Sequence, residues 1–388
     1  MDEIWGALGC VGAVFGRLAM VLLAVIIPLV ALEAAARFTL DPVDYLLPDL
    51  VHDERLGHRV VSGSAYHDDW GFRNRAVPET ASIVAIGDSM TYGWNARARD
   101  SWPAQLARMT GTDVYNLAMG DYGPGQYLAL LEDYAVRLAP ERVLIGLYLG
   151  NDLVDSYKYV YVLGADEERR RDDPRLVAEA AEHQSPTDKL ADADTLTRVR
   201  GWLARNSILY RLATNSALGG AARLTEARII ARGSSPYSTL VDASTGRAVT
   251  LDPVDRLAAL DLSDPRVAEG LELTNKYLTA INLTCREHNI DCAVVLIPTK
   301  ERVYAETATR YPGLKNADAL QRLAVEEQAI QDTITAHLDD IGMPYVDTLH
   351  ALRTTIPDGV YSANQDIHPN SDGYGVIADE VARVLGLD

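Results

Sequence analysis

Residues 82–89 read SIVAIGDS, and the fold follows from how this stretch is built. Residues 82–86 form a short continuous apolar strand, and Gly87-Asp88-Ser89 then turns the chain toward a helical pattern that includes 102–109. A strand without a polar alternate has both faces buried, which is the property of a parallel sheet covered by helices. Working outward, 114–117 is a second short strand and 125–138 a helix, and RVLIGLYL at 142–149 is a third strand. The rhythm resumes late in the chain. A helix is expected over 267–288, the strand AVVLI over 293–297, a long helix over 316–338, the strand PYVD over 344–347 and a last helix over 373–385. The pattern predicts an α/β fold around a central parallel sheet, and no internal repeat is evident.

Two stretches break the rhythm. Residues 38–80 are rich in turn formers, including Gly57-His58-Arg59 and the run Asp69-Trp70-Gly71-Phe72-Arg73-Asn74, and read as an irregular lead-in. Residues 155–265 form an insertion longer than a connecting loop normally is. It contains a charged, Ala-rich part (166–197), an amphipathic helix (201–218) and a turn-rich part with a hairpin (233–250). Its expected role is a cap over the substrate site, since it leaves directly from one of the motifs below; the alternative is surface elaboration.

Ser89 follows the first strand and precedes a helix, and open parallel sheets bind ligands outside the carboxyl ends of their strands. Alone, Gly-Asp-Ser is a common turn and Ser a common helix cap. Three later blocks change its weight. Asn116-Leu117-Ala118-Met119-Gly120 follows the second strand, Gly150-Asn151-Asp152 the third, and Asp366-Ile367-His368-Pro369-Asn370 precedes the last helix. All can converge on one edge of the sheet. A serine nucleophile needs a base, usually His, and the base needs an acceptor that fixes its tautomer. The oxyanion needs donors in place beforehand, such as an Asn side chain and backbone N–H groups.

These four blocks, in this order, resemble the SGNH/GDSL hydrolase superfamily over roughly 55–155 and 267–386. The resemblance implies a flavodoxin-like three-layer α/β/α domain, no metal and no organic cofactor. It implies Ser89 as nucleophile, His368 as base, Asp366 as its partner, and an oxyanion hole of Asn151 with the N–H groups of Ser89 and Gly120. Glu33 and Arg37, the segment Gly71-Phe72-Arg73-Asn74 and Pro298-Thr299-Lys300 resemble a membrane-anchored bacterial branch, related to polysaccharide O-acetyl esterases and acetyltransferases. In that branch the catalytic domain generally faces away from the cytoplasm.

Two departures from the pattern matter. Asp121 stands where a second Gly is expected after Gly120, so either residue could supply the backbone donor. The common acid spacing, Asp-x-x-His, would place the acid at Gln365, whereas Asp366-Ile367-His368 is Asp-x-His, as in alginate-acetylating relatives. A literal Asp-x-x-His exists at Asp347-Thr348-Leu349-His350, but without the Pro-containing context before the last helix; Asp347 reads as a structural acid. His52, His58, His67, His183, His288 and His337 show no metal-ligand spacing and read as ordinary surface or core residues. Asp88 and Asp152 read as turn holders. Trp94, Trp102, Tyr157, Tyr159 and Tyr161 could stack on a sugar, although rings more often pack.

Between Ile4 and Leu32 the only charge is Arg17, and 18–32 reads LAMVLLAVIIPLVAL, enough for a membrane-spanning helix. Residues 1–37 are expected to be an anchor; Ala34-Ala35-Ala36 imitates a signal cleavage site, the competing reading. Flanking charge is too balanced to orient the helix. The net charge of −19 argues against a nucleic-acid partner. Three cysteines exclude a disulfide scaffold: Cys10 lies in the apolar run, and Cys285 and Cys292, seven apart, are either bridged or two core thiols.

The expectation is therefore a membrane anchor (1–37), a lead-in (38–80) and a hydrolase-like domain (81–388) interrupted at 155–265. Its activity would be serine-dependent ester hydrolysis or acyl transfer, on an ester substrate that could be glycan-linked. A different class of answer is a silent envelope scaffold that keeps the fold.

Overall fold

The computed structural model describes residues 2–180, 194–215, 237–241, 248–311, 314–356 and 359–387. The chain folds as two units, Met1–Leu47 with Asp194–Ile230, and Pro48–Ala193 with Ala231–Asp388. The insertion is thus divided between them.

The larger unit holds nine strands among its described residues: β1 (Leu50–Asp53), β2 (Gly57–Val60), β3 (Ile83–Gly87), β4 (Val114–Ala118), β5 (Arg142–Tyr148), β6 (Ser238–Val241), β7 (Ala248–Leu251), β8 (Asp291–Ile297) and β9 (Tyr345–Asp347). The central sheet is all parallel, in the order β4-β3-β5-β8-β9. β3 is flanked by β4 on one side and β5 on the other, so the crossovers diverge there and a crevice opens at its carboxyl end. Ser89 lies two residues beyond that end.

The strands are apolar throughout because each face has its own helices. Val84, Ile86, Val143, Ile145, Val294 and Leu296 pack with the helices Pro124–Asp133, Pro265–Glu287 and Ala317–Ile341. Ile83, Ala85, Leu144, Ala293, Val295 and Val346 pack with Trp102–Thr110, Lys300–Ala308 and Ser371–Leu385. This is a three-layer α/β/α sandwich.

The structure corrects some of these expectations and resolves others. The helix expected over 125–138 ends at Asp133 and gives way to the 3-10 turn Ala135–Leu138, with Ala139 at φ +46°. The lead-in contains the antiparallel hairpin β1–β2. The helix expected over 201–218 is two helices, Thr195–Asn206 and Ile208–Asn215, separated at Ser207; 216–218 lie outside the described residues. The hairpin expected within 233–250 is β6–β7, whose turn also lies outside them. Cys285 and Cys292 form a disulfide, with Cα atoms 6.2 Å apart.

The smaller unit contains the helix Asp2–Thr39, apolar enough to cross a membrane over Met20–Thr39. Glu33 accepts hydrogen bonds from Ser207 Oγ and from the N–H groups of Ile208 and Leu209, each 3.0 Å. It thereby caps the first turn of Ile208–Asn215 from outside that helix.

Candidate active site

Asp88 begins the site. It is the N-cap of the short helix Ser89–Tyr92, accepting from Met90 N at 2.8 Å. Gly87 is required by what lies behind it: a Cβ there, or on Gly146 of β5, would collide with the Thr91 side chain. Thr91 in turn accepts from Trp102 Nε1 at 3.3 Å, which ties the Ser89 turn to the helix beneath it.

The last helix, Ser371–Leu385, is capped by Asn370, whose side chain accepts from Gly373 N. The loop ahead of it carries His368 to Ser89, with Nε2 2.8 Å from Oγ. Asp366 Oδ1 lies 2.7 Å from His368 Nδ1 and also accepts the His368 backbone N–H at 2.9 Å. The two-residue spacing thus places the carboxylate against both the backbone N–H and Nδ1 of His368. Burial raises the Asp366 pKa, but the hydrogen bond and charge of His368, with Lys300 nearby, outweigh it and hold this carboxyl below its ordinary range. The alternative pair is not assembled. Asp347 accepts from Gln331 Nε2 at 2.7 Å and Leu349 N at 2.9 Å, and His350 is exposed on the helix Leu349–Thr354.

Gly120 lies beside Ser89; a Cβ on it would stand 3.8 Å from Ser89 Cβ. Its carbonyl is 3.2 Å from His58 Nε2. A carbonyl only accepts, so His58 donates from Nε2, and burial lowers the His58 pKa and favours this neutral form. Asp121 then takes a left-handed φ of +62°. Asn151 Nδ2 donates to Asp155 Oδ2 at 2.8 Å, which leaves its second hydrogen for another acceptor.

Three fully or nearly buried carboxylates sit behind these donors. Asp152 accepts from Tyr127 OH and Tyr148 N, both at 2.9 Å, and Asp155 from Lys158 and Asn151. Burial, with the charges of Asp155 and Asp121, pushes Asp88 up to about 7. Burial and the neighbouring acids also raise Asp152; burial raises Asp155 despite Lys158. Among the described residues no group of His, Cys, Asp and Glu could hold a metal ion.

Four residues beyond the expected set hold this machinery. Lys300 is 1% exposed, and its Nζ donates to the carbonyls of Ser362 (3.2 Å), Asn364 (2.9 Å) and Asp366 (3.0 Å), strapping the Asp366–His368 loop. Arg73, buried, donates to Gly93 O at 2.9 Å and Ala96 O at 3.0 Å, pinning the loop after the Ser89 helix. Asn74 bonds both the N–H and the C=O of Asn116 on β4. Asp68 accepts from Tyr115 OH and from the N–H groups of Trp70 and Phe72. The sequence marked Arg73, Asn74 and Lys300 only through the resemblance of Gly71-Phe72-Arg73-Asn74 and Pro298-Thr299-Lys300, which gave them no role, and it did not mark Asp68.

Of the aromatic residues, Trp102, Tyr157, Tyr159 and Tyr161 are buried in the fold. Trp94 is 38% exposed, with its ring 6.5 Å from that of His368. On the other side, β7 reaches the same loop through Thr250 N, which donates to Ala363 O at 3.1 Å, and Arg256 Nη1 is 3.4 Å from Gly150 O.

The model of the GDSL-like lipase/acylhydrolase family matches residues 85–376. Among solved structures, a lipolytic protein of the G-D-S-L family from Desulfitobacterium hafniense is 12% identical, with 78% of this chain and 98% of that one covered and a TM-score of 0.38. An acetylxylan esterase from Geobacillus stearothermophilus is 11% identical, with 80% and 97% covered and a TM-score of 0.39. A GDSL-like lipase from Bacteroides thetaiotaomicron is 11% identical, with 80% and 92% covered and a TM-score of 0.36. No curated protein matches the chain.

Proposed function

The chain belongs to the GDSL-like lipase/acylhydrolase family, and from that premise we propose that it cleaves or transfers an acyl ester through an acyl-Ser89 intermediate. The observation that carries this reading is the continuous hydrogen-bonded line from Ser89 Oγ through His368 to Asp366. In the proposed reaction Ser89 Oγ attacks the ester carbonyl while His368 Nε2 takes its proton. Asp366 keeps the other ring nitrogen protonated and stabilises the imidazolium. The Ser89 and Gly120 N–H groups and the second Asn151 hydrogen stabilise the oxyanion. His368 then protonates the leaving alcohol, and the acyl group passes to water or to a second hydroxyl.

Acyl transfer to a glycan hydroxyl is the finer form of the proposal. Trp94, exposed beside His368, offers a ring for a sugar face, and the β6–β7 part of the insertion lies against the His368 loop, where a cap would exclude water. Membrane anchoring outside the cytoplasm completes it. Glu33 supports a retained anchor, because cleavage after Ala36 would remove the carboxylate that caps Ile208–Asn215. The Cys285–Cys292 disulfide supports an oxidising compartment.

The test is a serine-directed fluorophosphonate on the purified full chain, followed by peptide mapping and turnover of short-chain acyl esters. Stoichiometric label on Ser89, lost in Ser89→Ala, is expected. Folded protein that neither labels nor turns over any ester would leave the silent-scaffold reading in its place. Adding oligosaccharide acceptors then separates hydrolysis from transfer.

A further inference from the structure

We propose that Thr195–Asn206 and Ile208–Asn215 form a foot that lies in the membrane interface, apolar face toward acyl chains and arginines toward anionic headgroups. This rests on the anchor reading of Asp2–Thr39 and gives the second part of the same unit a lipid ligand.

The first observation is where the helices are tied. The apolar run ends at Leu32, and Glu33 at once caps Ile208–Asn215. One turn on, Arg37 bonds both Glu33 Oε1 (2.9 Å) and Asn206 O (2.5 Å). Leu47 N donates to Ala204 O at 3.1 Å, and Arg211 Nε to Tyr45 O at 2.8 Å. If the apolar run fills the hydrocarbon, these bonds hold both helices at the depth where it ends.

The second is the face left outward. Leu196, Val199 and Trp202 are 57%, 49% and 59% exposed. At about 100° per residue they lie on one arc of roughly 120°, with Arg198 and Arg200 on its two flanks. Ala204, on the inner side, is buried. An apolar arc bordered by arginines, with a Trp within it, is the layout of an in-plane interfacial helix.

The third is charge. Residues 194–215 contain four arginines (198, 200, 205 and 211) and one acid, Asp194, in a chain of net charge −19. A locally basic segment at the exit of an apolar helix complements anionic headgroups.

The test uses the full chain reconstituted in vesicles of phosphatidylcholine and phosphatidylglycerol, with Cys10→Ser and a single environment-sensitive thiol label on Trp202→Cys. Val325→Cys, 68% exposed on the helix Ala317–Ile341 of the other unit, is the control. The label at 202 is expected to emit to the blue of the control. Lipid-borne spin labels near the headgroup should quench it at least roughly twofold more than the control, and less so without phosphatidylglycerol. Val199→Cys repeats the reading should Trp202→Cys melt early. A water-like label at 202 in protein that floats with the vesicles after an alkaline wash overturns the foot and leaves the anchor. A blue-shifted label that no lipid quencher reaches means another protein segment covers the face, and also overturns it. Protein that the wash strips from the vesicles overturns anchor and foot together.

Discussion

Two Asp–His pairs stand fewer than twenty residues apart near the end of this chain, and only one reaches the serine. Asp347 and His350 have the spacing the family usually shows, Asp366 and His368 a tighter one. The difference lies in what surrounds them. Asp347 spends its oxygens on Gln331 and the Leu349 N–H, and the helix begun there carries His350 outward. Asp366 gives one oxygen to the backbone N–H and Nδ1 of His368, and its loop is held from below by Lys300 and from the side by Asn95, which donates to Ser362 Oγ at 3.0 Å. Spacing selects the candidates. The carbonyls that fix the loop decide between them.

The comparison breaks most visibly at the bases. His368→Ala should lower kcat by about 10⁴-fold and Asp366→Ala by about 10³–10⁴-fold, while His350→Ala and Asp347→Ala keep near-normal ester turnover. Equal losses in both pairs, in proteins that remain folded, would dissolve the distinction. Lys300→Met sharpens it, because it removes the strap and leaves every reacting group. A loss of roughly 10- to 100-fold in kcat with little change in KM is expected, and unchanged kcat would show that the loop holds itself.

The smallest effect concerns pH, not turnover. Burial pushes the folded-state pKa of Asp88 up to about 7, against an unfolded value near 3.8. Below about 4 both states carry the proton, and above it the unfolded chain releases first, so this group costs stability increasingly between pH 4 and 7. Asp88→Asn should therefore raise the melting temperature at pH 8 relative to wild type, and the gain should vanish near pH 4. A pH-independent difference would remove the burial account.

Much of the fold was legible because parallel strands buried on both faces are apolar at every position, as in 83–86 and 143–147. The line of Ser89, His368 and Asp366 was legible because strand-end motifs fall in a fixed order along the chain. What escaped acts through main-chain carbonyls. Lys300, Arg73 and His58 each donate to such groups, whose positions exist only after folding. The helix Lys300–Ala308 was missed for a related reason: Lys300, Glu301 and Arg302 open it and are all buried, against every surface pattern. Asp155, unremarked in the sequence, accepts from Asn151 and orients it.

Glu33 has a consequence for biosynthesis. Its partners Ile208 and Leu209 emerge 175 and 176 residues after it. At about 5–20 residues per second, the carboxylate waits roughly 10–35 s before they exist. During that interval Arg37, one turn away, is the neighbour able to neutralise it. Completion of the smaller unit thus reports that the ribosome has passed the middle of the chain, and a nascent protein stalled earlier would leave this acid with three of its four hydrogen bonds unmade.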